Sequence, residues 1–392
     1  MPQAELSNEK RQNPKTPGLS SDFYALEEEI LRPKNINEKF DLLLDPIRRV
    51  PEAEKIFFTQ NLGVMIKSGL SASRALQTLT LQTTNPKLKR ALFSITKTVE
   101  KGGTLADALG NYPKIFSPIF VNMIKAGETS GQLENVLKEL THQIKKSHEL
   151  KNKVKGALMY PTAILVSMVG IGTGMLVFVI PKLLDVFSEM NVELPLPTRV
   201  LISLSNVING YILFIAPLAA AAAVFLIYAT RRGSGQKIWH FLILKTPIVK
   251  TIAMKINLAR LARTLSSLLN TEMPIVDSIK LTSDVLKNVY YRQSLMNAAA
   301  QVETGQPLSR QLAKNAKLFP PVTVQMIQVG EETGEISSIL KQLAEFYEEE
   351  VEQTMESLPS LIEPVLIVIL GGAVGGMAVA VILPMYSLTN AV

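Results

Sequence analysis

From Pro51 onward the apolar residues fall at three- and four-residue spacings, with Phe57, Phe58, Leu62, Met65 and Ile66 sharing one helical face. Gly69 closes this helix and Ser71 is placed to cap the next. Asn85-Pro86 breaks the second helix, and Lys101-Gly102-Gly103-Thr104 breaks the third before a short fourth around Leu105 and Leu109. Phe116 to Ala126 predicts a fifth helix, Gly127–Gly131 its exit turn, and Leu133, Val136, Leu137, Leu140 and Ile144 the stripe of a long sixth. The pattern then changes from amphipathic to continuously apolar. Residues 156–181 carry no charge and follow Lys145, Lys146, Lys151, Lys153 and Lys155; residues 200–230 form a second uncharged run, and a third begins at Pro364. About 20 apolar residues cross a hydrocarbon core, so each run predicts one membrane span.

The whole pattern occurs twice. Ala126-Gly127-Glu128-Thr129-Ser130-Gly131-Gln132-Leu133 returns as Val329-Gly330-Glu331-Glu332-Thr333-Gly334-Glu335-Ile336, and the step from Gly127 to Gly330 also carries Phe116 onto Phe319, Pro118 onto Pro321, Leu137 onto Leu340, Pro161 onto Pro364 and Pro181 onto Pro384. Pro274 and Pro307 replace Ser71 and Thr104, at positions where a helix tolerates a missing N–H. The expected fold is an all-α membrane protein with two repeated cytoplasmic six-helix bundles plus three transmembrane helices. The boundaries read as follows: a flexible N-terminal region over 1–50, module 1 over 51–157, spans over 158–181, 211–229 and 361–386, an outer loop over 182–210, a connector over 230–255 and module 2 over 256–360. The extra span has a reason. Two modules of the same orientation require one return crossing between them.

Composition sharpens this picture. Hydrophobic residues make up 47% of the chain and charged residues still 19%, so the apolar content is segregated into blocks. The net charge of +7 arises largely from basic residues beside those blocks, which indicates membrane orientation rather than nucleic-acid binding. The basic flanks place both modules and the N-terminus inside, and the 182–210 loop and C-terminus outside. Residues 1–20 have almost nothing to bury and predict disorder without a cleavable signal. Phe23-Tyr24-Ala25-Leu26 and Phe40-Asp41-Leu42-Leu43-Leu44 are short amphipathic pieces that either fold back on their own domain or dock a partner.

Catalytic chemistry finds no foothold in the pattern. There is no cysteine, no phosphate-cradling Gly-x-x-x-x-Gly-Lys-[Ser/Thr] and no nucleophile elbow, and His142 and His148 are too far apart in sequence to share a helix face as metal ligands. No catalytic, cofactor or metal residue is therefore expected. Glu345, Glu348, Glu349, Glu350 and Glu352 form an acidic run that reads as a solvated helix face, with cation binding as the rarer use. Gly170 and Gly174, and Gly371, Gly372, Gly375 and Gly376, are small residues at the spacing that lets membrane helices approach closely. Pro161, Glu363 and Pro364 mark the membrane edge, where a carboxylate must reach the interface or be paired. At the repeated turns, glycine suits the backbone, but the acids are not explained by a turn. Near a helix start such carboxylates interact with its unpaired N–H groups, by about 0.3–1 kcal/mol; alternatively Glu128, Thr129, Glu331 and Glu332 are partner-binding residues.

These residues resemble the inner-membrane platform proteins of type IV pili and type II secretion, the PilC and secretion-F family. The likeness rests on the two Gly-Glu-[Thr/Glu]-[Ser/Thr]-Gly turns, on Lys67-Ser-Gly-Leu, on Phe116-Ser-Pro118, on Tyr160-Pro161 and on Leu194-Pro-Leu-Pro-Thr198, and it covers about residues 54–386. The second module departs from it at Asn270-Thr-Glu-Met-Pro274, which lacks the glycine of Gly69, and at Glu363. The resemblance implies a non-enzymatic scaffold in a bacterial inner membrane, without cofactor. Its implied partners are a cytoplasmic assembly ATPase hexamer, pilin or pseudopilin subunits, other inner-membrane components and further copies of itself, with no direct nucleic-acid contact. On the residues alone, a membrane-anchored receptor or signalling scaffold remains the alternative.

Overall fold

The computed structural model describes residue 23 and residues 49–182, 195–230 and 233–389. Of the N-terminal amphipathic pieces, only Phe23 lies among the described residues. It is fully buried and stacks on Phe93 with centroids 4.8 Å apart.

Every regular element among the described residues is helical. The first repeat forms α1 (Glu52–Lys67), α2 (Ala72–Gln82), α3 (Pro86–Glu100), α4 (Leu105–Gly110), α5 (Pro118–Ser130) and α6 (Leu133–Gly174). A π-helical turn, Met175–Val179, extends α6. Then come α7 (Leu196–Ala229), α8 (Gly233–Lys245) and α9 (Pro247–Leu269). The second repeat continues with α10 (Ile275–Val285), α11 (Val289–Val302), α12 (Leu308–Ala313), α13 (Pro321–Thr333) and α14 (Ile336–Thr389). The starts of α2 to α6 recur at those of α10 to α14 in the repeat register, so the internal similarity extends to helix boundaries.

Side-chain caps explain the starts in the first repeat. Ser71, Asn85, Thr104 and Ser117 accept from the amides of Arg74, Leu88, Asp107 and Phe120. In the second, Pro307 and Pro320 stand at cap positions and supply no such acceptor. The exit turn is shorter than the sequence pattern suggests. α5 runs through Gly127 to Ser130, and only Gly131 leaves the helix, in the left-handed region at φ 73°, as Gly334 does at φ 76°.

Two compact units emerge, and their boundaries do not coincide with the repeats. One contains residues up to Lys146 together with Thr264–Thr282; the other contains Ser147–Arg263 and Ser283–Val392. In the first, Phe58, Leu62, Leu76, Leu92, Leu109, Phe116 and Met123 fill the core. The end of α9 joins this unit through Ser267, whose hydroxyl donates to Glu139 of α6 at 2.5 Å. In the second, Tyr291 and Phe319 pack edge to face, and the Tyr291 hydroxyl donates to the Leu318 carbonyl at 3.0 Å.

Two helices are long and apolar enough to cross a membrane among the described residues, within Leu133–Lys182 and Ile336–Leu383. Only 6% and 11% of their apolar windows are buried, so these segments are not the core helices of a soluble domain. Neither breaks at its proline: α6 runs through Pro161, where Thr162 donates to the Leu158 carbonyl at 2.6 Å within the same turn. The third apolar segment, α7, begins at Leu196, so the stretch read as an outer loop over 182–210 already contains its first turns. The Ser205 hydroxyl of α7 donates at 2.5 Å to the Leu176 carbonyl in the π turn, and Thr198 donates at 2.6 Å to the Ala380 carbonyl of α14.

Candidate functional site

The repeated turn is a joint of three helices. Gly127 lies where α5 presses against the start of α6: a Cβ there would meet Val136 Cγ2 at 2.8 Å. At Gly330 a Cβ would meet the Ile336 backbone at 2.9 Å. These glycines are therefore required by close approach, while Gly131 and Gly334 are required by the turn. The acids between them reach a third helix. Glu128 accepts from the Leu105 amide at 2.7 Å and the Ala106 amide at 3.0 Å, the unpaired N–H groups opening α4. Glu331 accepts from Leu308 N and from Ser309 N at 3.1 Å, and the Ser309 hydroxyl adds a further bond. Both carboxylates are half-buried, whereas Thr129 and Glu332 are exposed. Glu332 accepts from Gln328 at 2.7 Å.

Thr129 lines a cleft in the first unit, between α5 and the turn joining α9 to α10. Lys125 stands on one wall, with Glu272, Asp277 and Lys280 on the other. Glu272 occupies the repeat position of Gly69 and keeps its left-handed backbone, at φ 59° against 82°. A side chain there costs about 1–2 kcal/mol. The glycine missing from the sequence is thus not missing from the backbone geometry.

In the second unit, beside the starts of two uncharged runs, three helices form a collar. Leu150, Val154 and Ala157 of α6, Ile252 and Ile256 of α9, and Val351, Met355, Leu358 and Ile362 of α14 pack together. Of the acidic run, Glu345 and Glu349 are exposed, as a solvated face requires, whereas Glu348, Glu350 and Glu352 turn to this seam and depart from that expectation. Glu348 takes Arg263 in a two-pronged pair, Nε at 2.9 Å and Nη2 at 2.8 Å, with the arginine side chain only 7% exposed. Glu350 pairs with Lys255 at 2.6 Å and Glu352 with Lys153. With these carboxylates engaged by cations of the same chain, a metal role for them has no geometric support.

The membrane-edge residues diverge. Pro161 is buried, while Glu363 and Pro364 are exposed. At Gly170, Gly174, Gly371, Gly372, Gly375 and Gly376 an added Cβ would meet nothing within 4 Å among the described residues. His240 of α8 accepts through Nδ1 from the Val289 amide at 3.3 Å, at the start of α11. Burial, and then the nearby Arg292 guanidinium, hold its pKa below the ordinary histidine range, consistent with a neutral acceptor ring.

A known family pattern covers both repeats. The family described as "Type II secretion system (T2SS), protein F" matches residues 58–181 and again 261–384, one match per repeat in the same register. The chain belongs to the type II secretion protein F family. It is 32% identical over 352 residues to the type IV pilus assembly protein PilC of Myxococcus xanthus, covering 90% of this chain and 84% of that protein. The PilC of Thermus thermophilus is 33% identical over 349 residues, covering 87% and 85%. The type II secretion system protein F of Vibrio cholerae is 29% identical over 347 residues, covering 88% and 84%. As a secretion-F family member, the chain has both matched regions end inside its apolar helices. Each repeat of this chain therefore joins a helical module to its own long apolar segment.

Sequence reasoning located the joint but missed the targets of its acids, which are backbone amides 22 and 23 residues upstream. It also missed the collar, whose ion pairs link residues 85 apart or more in sequence.

Proposed function

We propose that this chain is the non-enzymatic inner-membrane platform of a type IV pilus or type II secretion machine, coupling a cytoplasmic assembly ATPase hexamer to the polymerisation of pilin or pseudopilin subunits. The observation that carries the reading is α14, unbroken from Ile336 to Thr389. At 1.5 Å per residue it is about 80 Å long, and it joins the helical module to an apolar segment without a hinge. A displacement applied at the module travels along such a rod into the bilayer. The chain lacks a phosphate-cradling loop, so the energy comes from a partner.

In this reading both modules and the N-terminus face the cytoplasm, α7 is the return span, and the C-terminus lies in the periplasm. Thr129 and Glu332, exposed at the ends of α5 and α13, present the partner-facing edge of each joint, while Glu128 and Glu331 fix its shape. The glycine-lined faces of α6 and α14 meet helices of other subunits or of the machine's other membrane components.

A strain lacking this chain should lose surface filaments or secretion, and the wild-type chain should restore them and co-purify with the assembly ATPase. Normal filaments and secretion in the deletion strain would overturn the proposal.

A further inference from the structure

α8 presents an apolar face that no part of the described chain covers. Ile238, Trp239, Phe241 and Leu242 are 61%, 45%, 52% and 49% exposed, on a helix of only 13 residues. Its opposite side faces the protein, where His240 receives the Val289 amide. The helix is thus apolar on both sides, with one side assigned.

Two observations set the level of α8 relative to the apolar spans. It follows within a few residues the end of α7, whose sequence carries no charge over 200–230. Independently, it leads directly into α9, whose Ile252 and Ile256 pack in the collar with Ala157 and Ile362, beside the starts of the uncharged runs at Gly156 and Pro364. Both ends of α8 therefore adjoin a polar–apolar boundary.

Charge indicates which surface covers it. No aspartate or glutamate occurs between Glu193 and Glu272, while Lys237, Lys245 and Lys250 are exposed along α8 and the start of α9. The Lys245 ammonium lies 5.8 Å from the centre of the Phe241 ring. Aromatic and aliphatic side chains flanked by lysines suit a helix lying in a bilayer interface. Basic residues beside such a helix attract anionic headgroups.

We propose that α8 is an interfacial helix, seated in the headgroup region of an acidic phospholipid leaflet by Ile238, Trp239, Phe241 and Leu242 and held there by Lys237 and Lys245. Through the His240 contact with α11, it fixes the second repeat's first helices to the membrane surface. The inference requires only that the chain is membrane-inserted, so it can fail without affecting the platform reading.

Trp239 is the chain's only tryptophan and reports its own surroundings. The full chain would be reconstituted in phosphatidylcholine vesicles with and without phosphatidylglycerol, with bromine atoms placed either near the headgroup or near the acyl-chain end of the phosphatidylcholine. With phosphatidylglycerol present, shallow bromines should remove most of the Trp239 emission, deep bromines much less, and aqueous iodide little. Joint replacement Lys237→Gln and Lys245→Gln should raise iodide quenching several-fold in the same vesicles. Free iodide access without bromine quenching would overturn the proposal, because the helix would then face water. Shielding from both quenchers would overturn it in favour of a protein cover, including a second copy of this chain. Equal bromine quenching with and without phosphatidylglycerol would overturn the assignment to acidic lipid.

Discussion

Within the repeated turn, three chemistries are divided among neighbouring residues. Gly127 and Gly330 permit helix contact, Glu128 and Glu331 close the start of a short helix, and Gly131 and Gly334 turn the chain. Replacing a capping acid by alanine leaves inward-facing amides without partners, at about 1–3 kcal/mol. Glu331→Ala should cost more than Glu128→Ala, because α4 keeps the Thr104 cap while Pro307 gives α12 none. Thermal unfolding of the full chain in detergent checks the order; equal or reversed losses would remove the capping account. Glu272→Gly relieves the left-handed backbone beside the cleft and should raise the unfolding temperature, by a stability gain of about 1 kcal/mol. An unchanged or lowered temperature would mean that the Glu272 side chain contributes more than its backbone costs.

At the scale of elements, helix starts and stops were legible because proline, glycine and capping residues punctuate the chain locally. Ser71 and Asn85 act as the sequence suggests. The collar was not legible. A run of glutamates has the same composition whether it faces water or Arg263, Lys255 and Lys153, and only the tertiary fold decides between them. Replacing the carboxylate of the best-buried pair by Glu348→Gln removes a charge-assisted bond to Arg263, at about 1.5–3 kcal/mol. A double-mutant cycle with Arg263→Met should show strong coupling; additive losses would deny that the pair acts as a unit. The glycine faces give a complementary test. At Gly372 and Gly376 an added Cβ meets no described atom within 4 Å, so Gly372→Leu with Gly376→Leu should leave insertion normal while cross-linking between membrane subunits is lost. Unchanged cross-linking and normal filaments would leave those glycines facing lipid.

For the whole molecule, the duplication was readable from one motif, and the family match repeats it in the same register. The sequence pattern runs the sixth helix of each module towards the span beyond it, and the structure makes the two one helix. Pro161 and Pro364 stand at those junctions and ordinarily suggest a break, yet α6 and α14 continue through them. That continuity is what the proposed coupling of each helical module to its apolar segment rests on. It is tested most directly by placing Gly-Ser-Gly-Ser between Glu363 and Pro364, one residue beyond Ile362, the last collar residue of α14. The flexible linker leaves the collar and the uncharged span intact but uncouples their motions. The account predicts normal membrane insertion and abundance, with filament assembly or secretion abolished; a linker variant that assembles filaments or secretes at the wild-type rate would contradict it.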